Sequence, residues 1–361
     1  MPDHPARALT LWMPELAPLL KDWQQQAQTH PDAAQAFKTL DQAWQSLRSL
    51  MSQGDFYRPR SRSFEAQASF LFHQSQPLPA APVLAKLLTE ATPSPEQGFW
   101  VAVSPVQMVP DRDTLRLFPP DTLALTQEES KALCHAFNQH FESDGVTLHY
   151  LSVDVWLMFL PQAVDLTTTG LAEASLQPVS QSLPQGQAAT YWQSLQNEAQ
   201  MLFHQHPVNQ ARQTQGLPPA NGIWFWGEGS LPHWAPRPQA AVFSDELYLQ
   251  ALAQITDSQS QGACADWSQW WEKQKAQPAT HSLVHVTLPS TQNTDAVFDD
   301  WVALEKYWFA PLRDALKAQT VQSVFIDLGG MGQFYLTPPK LKRFWRRKRP
   351  LHHWLAFSSK D

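Results

Sequence analysis

Residues 206–232 read HPVNQARQTQGLPPANGIWFWGEGSLP, the run of the chain densest in residues able to do chemistry. Asn209 and Arg212 are three apart, so a helix would place both on one face. Asn221 precedes an apolar run, and Glu228 lies between two glycines just after it. In open α/β sheets ligands sit beyond the carboxyl ends of strands, where glycines let a backbone come close. Asn209, Arg212, Asn221 and Glu228 are therefore candidate ligand-binding residues, with amides and a guanidinium suited to a small anion. The same four could instead hold a loop together, with Arg212 paired to Glu228 across the helix end. That second arrangement is the expected one, because polar clusters in such loops mostly satisfy backbone groups.

Stepping outward, a helix over 187–205 must carry this stretch. Trp192, Leu195, Ala199, Leu202 and Phe203 recur at helical spacing and leave Gln193, Gln196, Asn197 and Gln200 for solvent. Pro207 interrupts it, since the residue before a proline is driven out of the α region. Gly216 fits a C′ position, and Pro218 and Pro219 forbid continuation. Residues 223–226 are apolar on both faces, which predicts a strand of a helix-covered parallel sheet, turned by Gly227-Glu228-Gly229.

Asn209, Arg212, Gly216, Ala220 and Asn221 spell N-x-x-R-x-x-x-G-x-x-x-A-N, and Trp224 to Gly229 spell W-x-W-G-x-G. This pattern resembles the central region of archaeal-type cofactor-independent phosphoglycerate mutases, members of the alkaline phosphatase superfamily. Over its full length the chain is more similar to bacterial RpfE-type regulatory proteins. That likeness rests on Asn197, Glu198, Gln200 and Met201 (N-E-x-Q-M), on Pro105, Val106, Asp111, Arg112 and Asp113, and on F-W-R-R from Phe344 to Arg347. The mutase resemblance implies two metals held by Asp and His, with a Ser or Thr nucleophile between them. It also implies a first strand ending in Asp-Gly. Here that strand, 9–13, runs into Met13-Pro14-Glu15-Leu16. The pairs His204/His206, His281/His285, His352/His353 and Asp299/Asp300 fall in no Asp-Gly or Asp-His element after a strand. No metal ligands or catalytic residues are assigned, and no cofactor is expected; an active enzyme would need two divalent ions such as manganese or zinc.

With 361 residues the chain can bury a large core, and 43% hydrophobic against 16% charged residues describes a folded, charge-poor protein. Cys134 and Cys264 match no zinc spacing and read as buried thiols in a reducing compartment. No segment approaches the ~20 apolar residues of a membrane span, and the N-terminus lacks a signal-peptide pattern. A cytoplasmic protein is expected.

The predicted fold is α/β: a degenerate alkaline-phosphatase-like, mostly parallel sheet with helices on both faces, plus a smaller α+β lobe. Residues 1–98 supply the helical N-terminal part of the core, and 99–186 the α+β lobe, whose helix opens on a capping box, Thr126 with Glu129. Residues 187–337 supply the rest of the core, including the central stretch, and end in a glycine-rich hairpin after Asp327. Residues 338–361 are a basic C-terminal segment. Lys340, Lys342, Arg343, Arg346, Arg347, Lys348 and Arg349 leave 19 basic against 33 acidic residues elsewhere, a net of −14 within an overall −7. The overall charge gives no reason to expect nucleic acid, but this asymmetry does. Lys342, Arg343, Trp345, Arg346, Arg347 and Arg349 are candidates for phosphate and base contact with a single strand. A solvated strap lying on the acidic body is the alternative. The preferred function is a non-catalytic regulatory protein with a protein partner; an active mutase or phosphatase and a nucleic-acid accessory factor are the alternatives.

Overall fold

A computed structural model describes residues 7–58, 63–74, 76–88, 93–112, 114–233, 240–288 and 294–357, the side chains of 294–297 excepted. The chain forms two compact units: Met1–Pro77 with Pro236–Asp361, and Leu78–Ala235.

Among the described residues twelve strands run in chain order as β1 (Ala8–Trp12), β2 (Asp55–Tyr57), β3 (Phe99–Asp111), β4 (Thr114–Phe118), β5 (Leu148–Tyr150), β6 (Trp156–Leu160), β7 (Gly222–Gly229), β8 (Ala241–Phe243), β9 (Gln259–Gln261), β10 (His281–His285), β11 (Ser323–Asp327) and β12 (Gln333–Leu336). In the first unit the sheet order is β2-β12-β11-β1-β10-β8-β9. From β11 to β9 all neighbours are parallel, and β12 and β2 close one side antiparallel. Helices cover both faces. Leu9, Leu11, Val284 and Ile326 point into a core shared with Leu16–Gln26, Gln45–Gln53 and Ala310–Lys317. On the other face Trp12 meets Phe64 and Gln67 of the helix Phe64–Leu71. The α/β expectation holds, with a sheet that is mostly parallel. Pro311 does not break the long helical run after 294. A π-helical turn, Glu305–Phe309, precedes it, so the proline goes with a local departure from α geometry inside a continuous run.

The second unit is antiparallel. The long strand β3 pairs with β4, β6 and β7, and β5 flanks β6. The helices Gln127–His140 and Ala189–His204 bury Leu133, Phe137, Trp192, Leu195 and Phe203 against this sheet. Here the structure corrects the sequence expectation. The strand β7, placed by its two apolar faces in the parallel core, is antiparallel to β3 and lies in the unit Leu78–Ala235. The glycines do not end it either. They make a bulge, because Trp100 pairs with Gly229 and Ala102 with Trp226, so that Val101 alone faces Gly227 and Glu228. Gly227 has φ +63, and a Cβ there would lie 2.7 Å from the Cβ of Ala80. Gly227→Ala is therefore expected to destabilise the protein by ~1–3 kcal/mol in a denaturant titration; an unchanged midpoint would mean the bulge relaxes freely.

Candidate functional site

The central stretch is built as a knot of backbone ties. The helix Pro207–Thr214 begins with Pro207 in its first turn, and the His206 ring accepts the Val208 N–H at 3.2 Å. Asn209 and Arg212 do share a face, and both are buried. The Asn209 amide donates to the carbonyls of Phe203 (2.8 Å) and Ala220 (2.9 Å) and accepts the Ala220 N–H (2.9 Å). Arg212 donates to the Pro218 carbonyl at 2.9 Å, to the Leu123 carbonyl, and to Glu129 at 2.8 Å. Its carboxylate partner is thus Glu129, not Glu228. Glu228 instead accepts the Thr168 N–H at 3.0 Å and the Thr168 hydroxyl. Asn221 accepts the Met108 N–H at 2.7 Å and donates to the Met108 carbonyl at 2.9 Å, extending the β3–β7 ladder by a side chain.

The four candidates therefore do not converge. Glu129, expected only as the capping-box partner of Thr126, is also the carboxylate that pairs with Arg212, and that pairing was not legible in the sequence. It serves the capping box of Gln127–His140 and the guanidinium at once. Burial raises its pKa, but hydrogen bonds from the Thr126 N–H and Arg212 outweigh that and hold it below its ordinary value. Beside this knot lies a cleft of about 500 Å³ lined by Met108, Arg112, Gln196, Asn197 and Gln200 among others, and next to it a hollow of about 320 Å³ reaching Met201, His204 and Asn221. Residues from two separate motifs, Arg112 with Asn197, Gln200 and Met201, come together there; Asp113 lies outside the described residues.

The first unit offers the place where α/β sheets bind ligands, the carboxyl ends of the parallel strands. Asp327, Trp12 and His285 end β11, β1 and β10 in register. Residues in register share a sheet face, so these three form a row with the tryptophan in the middle. Trp12 is wholly buried, with its ring 5.2 Å from that of His285 and 5.0 Å from Phe64. His285 accepts from or donates to Ser244 Oγ through Nδ1 at 3.0 Å, and burial drops its pKa to about 4. The Asp327 carboxylate accepts the Gly329 N–H at 2.9 Å and the Gln333 amide at 2.7 Å. Burial nevertheless pushes its pKa up to about 7. His281 and His285 do face one way; His281 Nε2 meets Thr10 Oγ1 at 3.0 Å.

No family model matches the chain. In sequence it is 36% identical over 95 residues to a 2,3-bisphosphoglycerate-independent phosphoglycerate mutase of Methanothrix thermoacetophila, 25% of this chain and 22% of that enzyme. It is 27% identical over 137 residues to a probable enzyme of the same name from Geobacter sulfurreducens, 37% and 34% of the two chains. The matches thus span about a fifth to a third of those relatives' own length. In structure it is similar to the PH0037 protein of Pyrococcus horikoshii (TM-score 0.50, 12% identity, 91% and 85% of the chains covered). A cofactor-independent phosphoglycerate mutase of Thermoplasma acidophilum aligns at TM-score 0.43 and 12% identity over 92% and 90%. Part of the chain is thus similar in sequence to phosphoglycerate mutases, and its fold is similar to that of the PH0037 protein.

On that scaffold the residues present do not fit a two-metal centre. The Asp327 carboxylate is taken up by the Gly329 N–H and the Gln333 amide, and His285 Nδ1 by Ser244 Oγ, with Trp12 standing between them in the register of the sheet. Among the described residues, no three His, Cys, Asp or Glu side chains are grouped to hold an ion.

The basic segment divides in two. Arg343 donates to Asp55 (2.6 Å) and to the Gln53 carbonyl (3.2 Å), Lys340 pairs with Asp55 (2.6 Å), and Arg346 donates to the Gly54 carbonyl (2.7 Å). Hydrogen bonds from Arg343 and then Lys340 hold Asp55 down to about 2. Of the expected nucleic-acid contacts, then, Arg343 and Arg346 are tied to the body, while Lys342, Trp345, Arg347 and Arg349 are exposed.

Proposed function

We propose that the protein is a non-catalytic cytoplasmic regulatory or interaction protein on a phosphoglycerate-mutase-like scaffold, of the bacterial RpfE type, acting through a protein partner. The observation that carries this reading is Trp12. It ends the central strand β1, where the mutase resemblance implies a metal-ligating Asp-Gly, and stands in register between Asp327 and His285. A buried indole offers one donor and no lone pair to a metal. No described helix is long and apolar enough to cross a membrane, which is compatible with this location. Metal analysis of the full chain purified with manganese and zinc is expected to find far less than one ion per chain, with no conversion of 3-phosphoglycerate. Two ions per chain together with turnover would overturn the proposal and favour an active mutase.

A further inference from the structure

The division of the C-terminal segment suggests what its outer side is for. Phe344 is 88% exposed and Trp345 65%, with ring centroids 5.4 Å apart and planes at 81°. Large aromatics this exposed forgo the ~1.5–3 kcal/mol that burying an apolar side chain contributes. Lys342, Arg347, Lys348 and Arg349 flank them, exposed and without a salt bridge among the described residues. The inner side is fastened at three points, each three residues from the next, by Lys340, Arg343 and Arg346. Further along, the Arg349 N–H donates to Ser52 Oγ at 3.1 Å, its carbonyl accepts Arg48 at 3.2 Å, and the Leu351 N–H donates to Asp41 at 2.7 Å. A segment held this firmly loses little entropy when something binds its outer side.

We propose that Lys342, Phe344, Trp345, Arg347, Lys348 and Arg349 form a pre-organised platform for single-stranded nucleic acid. The cations would neutralise phosphates and the rings would stack on unpaired bases. Every base has a π-face, so such stacking tolerates any sequence. Arginine adds planar donor forks that match phosphate oxygens. An anionic bilayer is the competing partner, but it needs rings that sink ~5–10 Å into the acyl boundary. Here the rings lie in a non-helical segment tied to the body on both sides, not on an amphipathic helix that could lie in a bilayer surface.

Fluorescence anisotropy of a labelled oligothymidine of about 12 nucleotides, within the ~4–16 that such sites span, tests this on the full chain. Four neutralised phosphates predict a slope of roughly −3 for log affinity against log salt, at −0.7 per phosphate. The triple variant Arg347→Ala, Lys348→Ala, Arg349→Ala should flatten that slope by about 2. Trp345→Ala should keep the slope and weaken binding by roughly five- to a hundredfold, the ~1–3 kcal/mol of one stacked base. All six side chains are solvent-exposed, so the variants should melt like the parent. Three results would each overturn the platform: no binding at low salt, equal binding of duplex and single strand with Trp345→Ala silent, or capture by phosphatidylserine vesicles without oligothymidine binding.

Discussion

Arg212→Ala is expected to destabilise the protein by roughly 3–5 kcal/mol, because it removes a fully buried guanidinium with its charge-assisted hydrogen bonds and leaves a cavity. The side chain is 1% exposed and has three separate acceptors, Glu129 and the carbonyls of Leu123 and Pro218. Removing it leaves the two carbonyls without that donor and opens a cavity, while Glu129 keeps the Thr126 N–H. The arginine joins the helix Pro207–Thr214, the loop before β7 and the start of Gln127–His140, so the loss falls on the packing of the whole second unit. Arg212→Lys should recover part of it, since an ammonium can reach Glu129 but cannot fork to two carbonyls as well. Added phosphate compounds should shift neither melt, because the Arg212 side chain is buried out of reach of a soluble anion. The decisive measurement is a pair of double-mutant cycles. Arg212 with Glu129 should show a coupling of ~1 kcal/mol or more, and Arg212 with Glu228 should be additive. Coupling to Glu228, or a phosphate-dependent shift in the parent alone, would restore the anion-binding reading. The Glu129 contribution also has a pH signature. Its folded pKa lies below the ordinary 4.5, so its stabilisation is present above that value and is lost as pH falls through the depressed folded pKa.

That partner exchange marks where the sequence stops being informative. Local signals read true: the helix Ala189–His204 follows from its apolar spacing, the Thr126–Glu129 capping box from four residues, and the hairpin after Asp327 from its glycines. Each depends on neighbours within a few positions. Arg212 and Glu129 are 83 positions apart, while Glu228 is only 16 away, so proximity along the chain favoured the wrong carboxylate. The strand β7 fails for a related reason. Apolar residues on both faces suit a buried strand in either kind of sheet, and nothing within it reveals an antiparallel neighbour 120 residues earlier. Its partner β3 also runs through Pro105 and Pro110, which argue against so long a strand when read locally. The row Asp327, Trp12, His285 is illegible in the same way, because parallel register assembles it from three distant segments. The departure from Asp-Gly at the end of β1 was visible; what replaced it, a buried indole between two titratable groups, was not.

Asp327→Asn is expected to stabilise the protein at alkaline pH. The wild-type carboxyl is buried, and although two N–H donors favour its charged form, desolvation prevails and raises its pKa from 3.8 to about 7. The native state therefore keeps a proton between about pH 4 and 7 that the unfolded chain has already lost. Stability from this group is fullest below the unfolded value and declines as pH rises toward the folded one. A difference of about 3 pKa units corresponds to about 4 kcal/mol above neutrality. Asparagine carries no charge and can still accept the Gly329 N–H through Oδ1. Its Nδ2 would face Gln333, whose amide need only flip to present oxygen instead of nitrogen. The variant should thus match the parent near pH 4 and exceed it by up to ~4 kcal/mol near pH 8, with the gap opening through the window between. Denaturant titrations at a series of pH values would trace it. A variant less stable than the parent at pH 8 would mean that the two N–H donors hold Asp327 ionised. The carboxyl edge of β11 would then carry a buried negative charge, one strand away from the buried indole of Trp12.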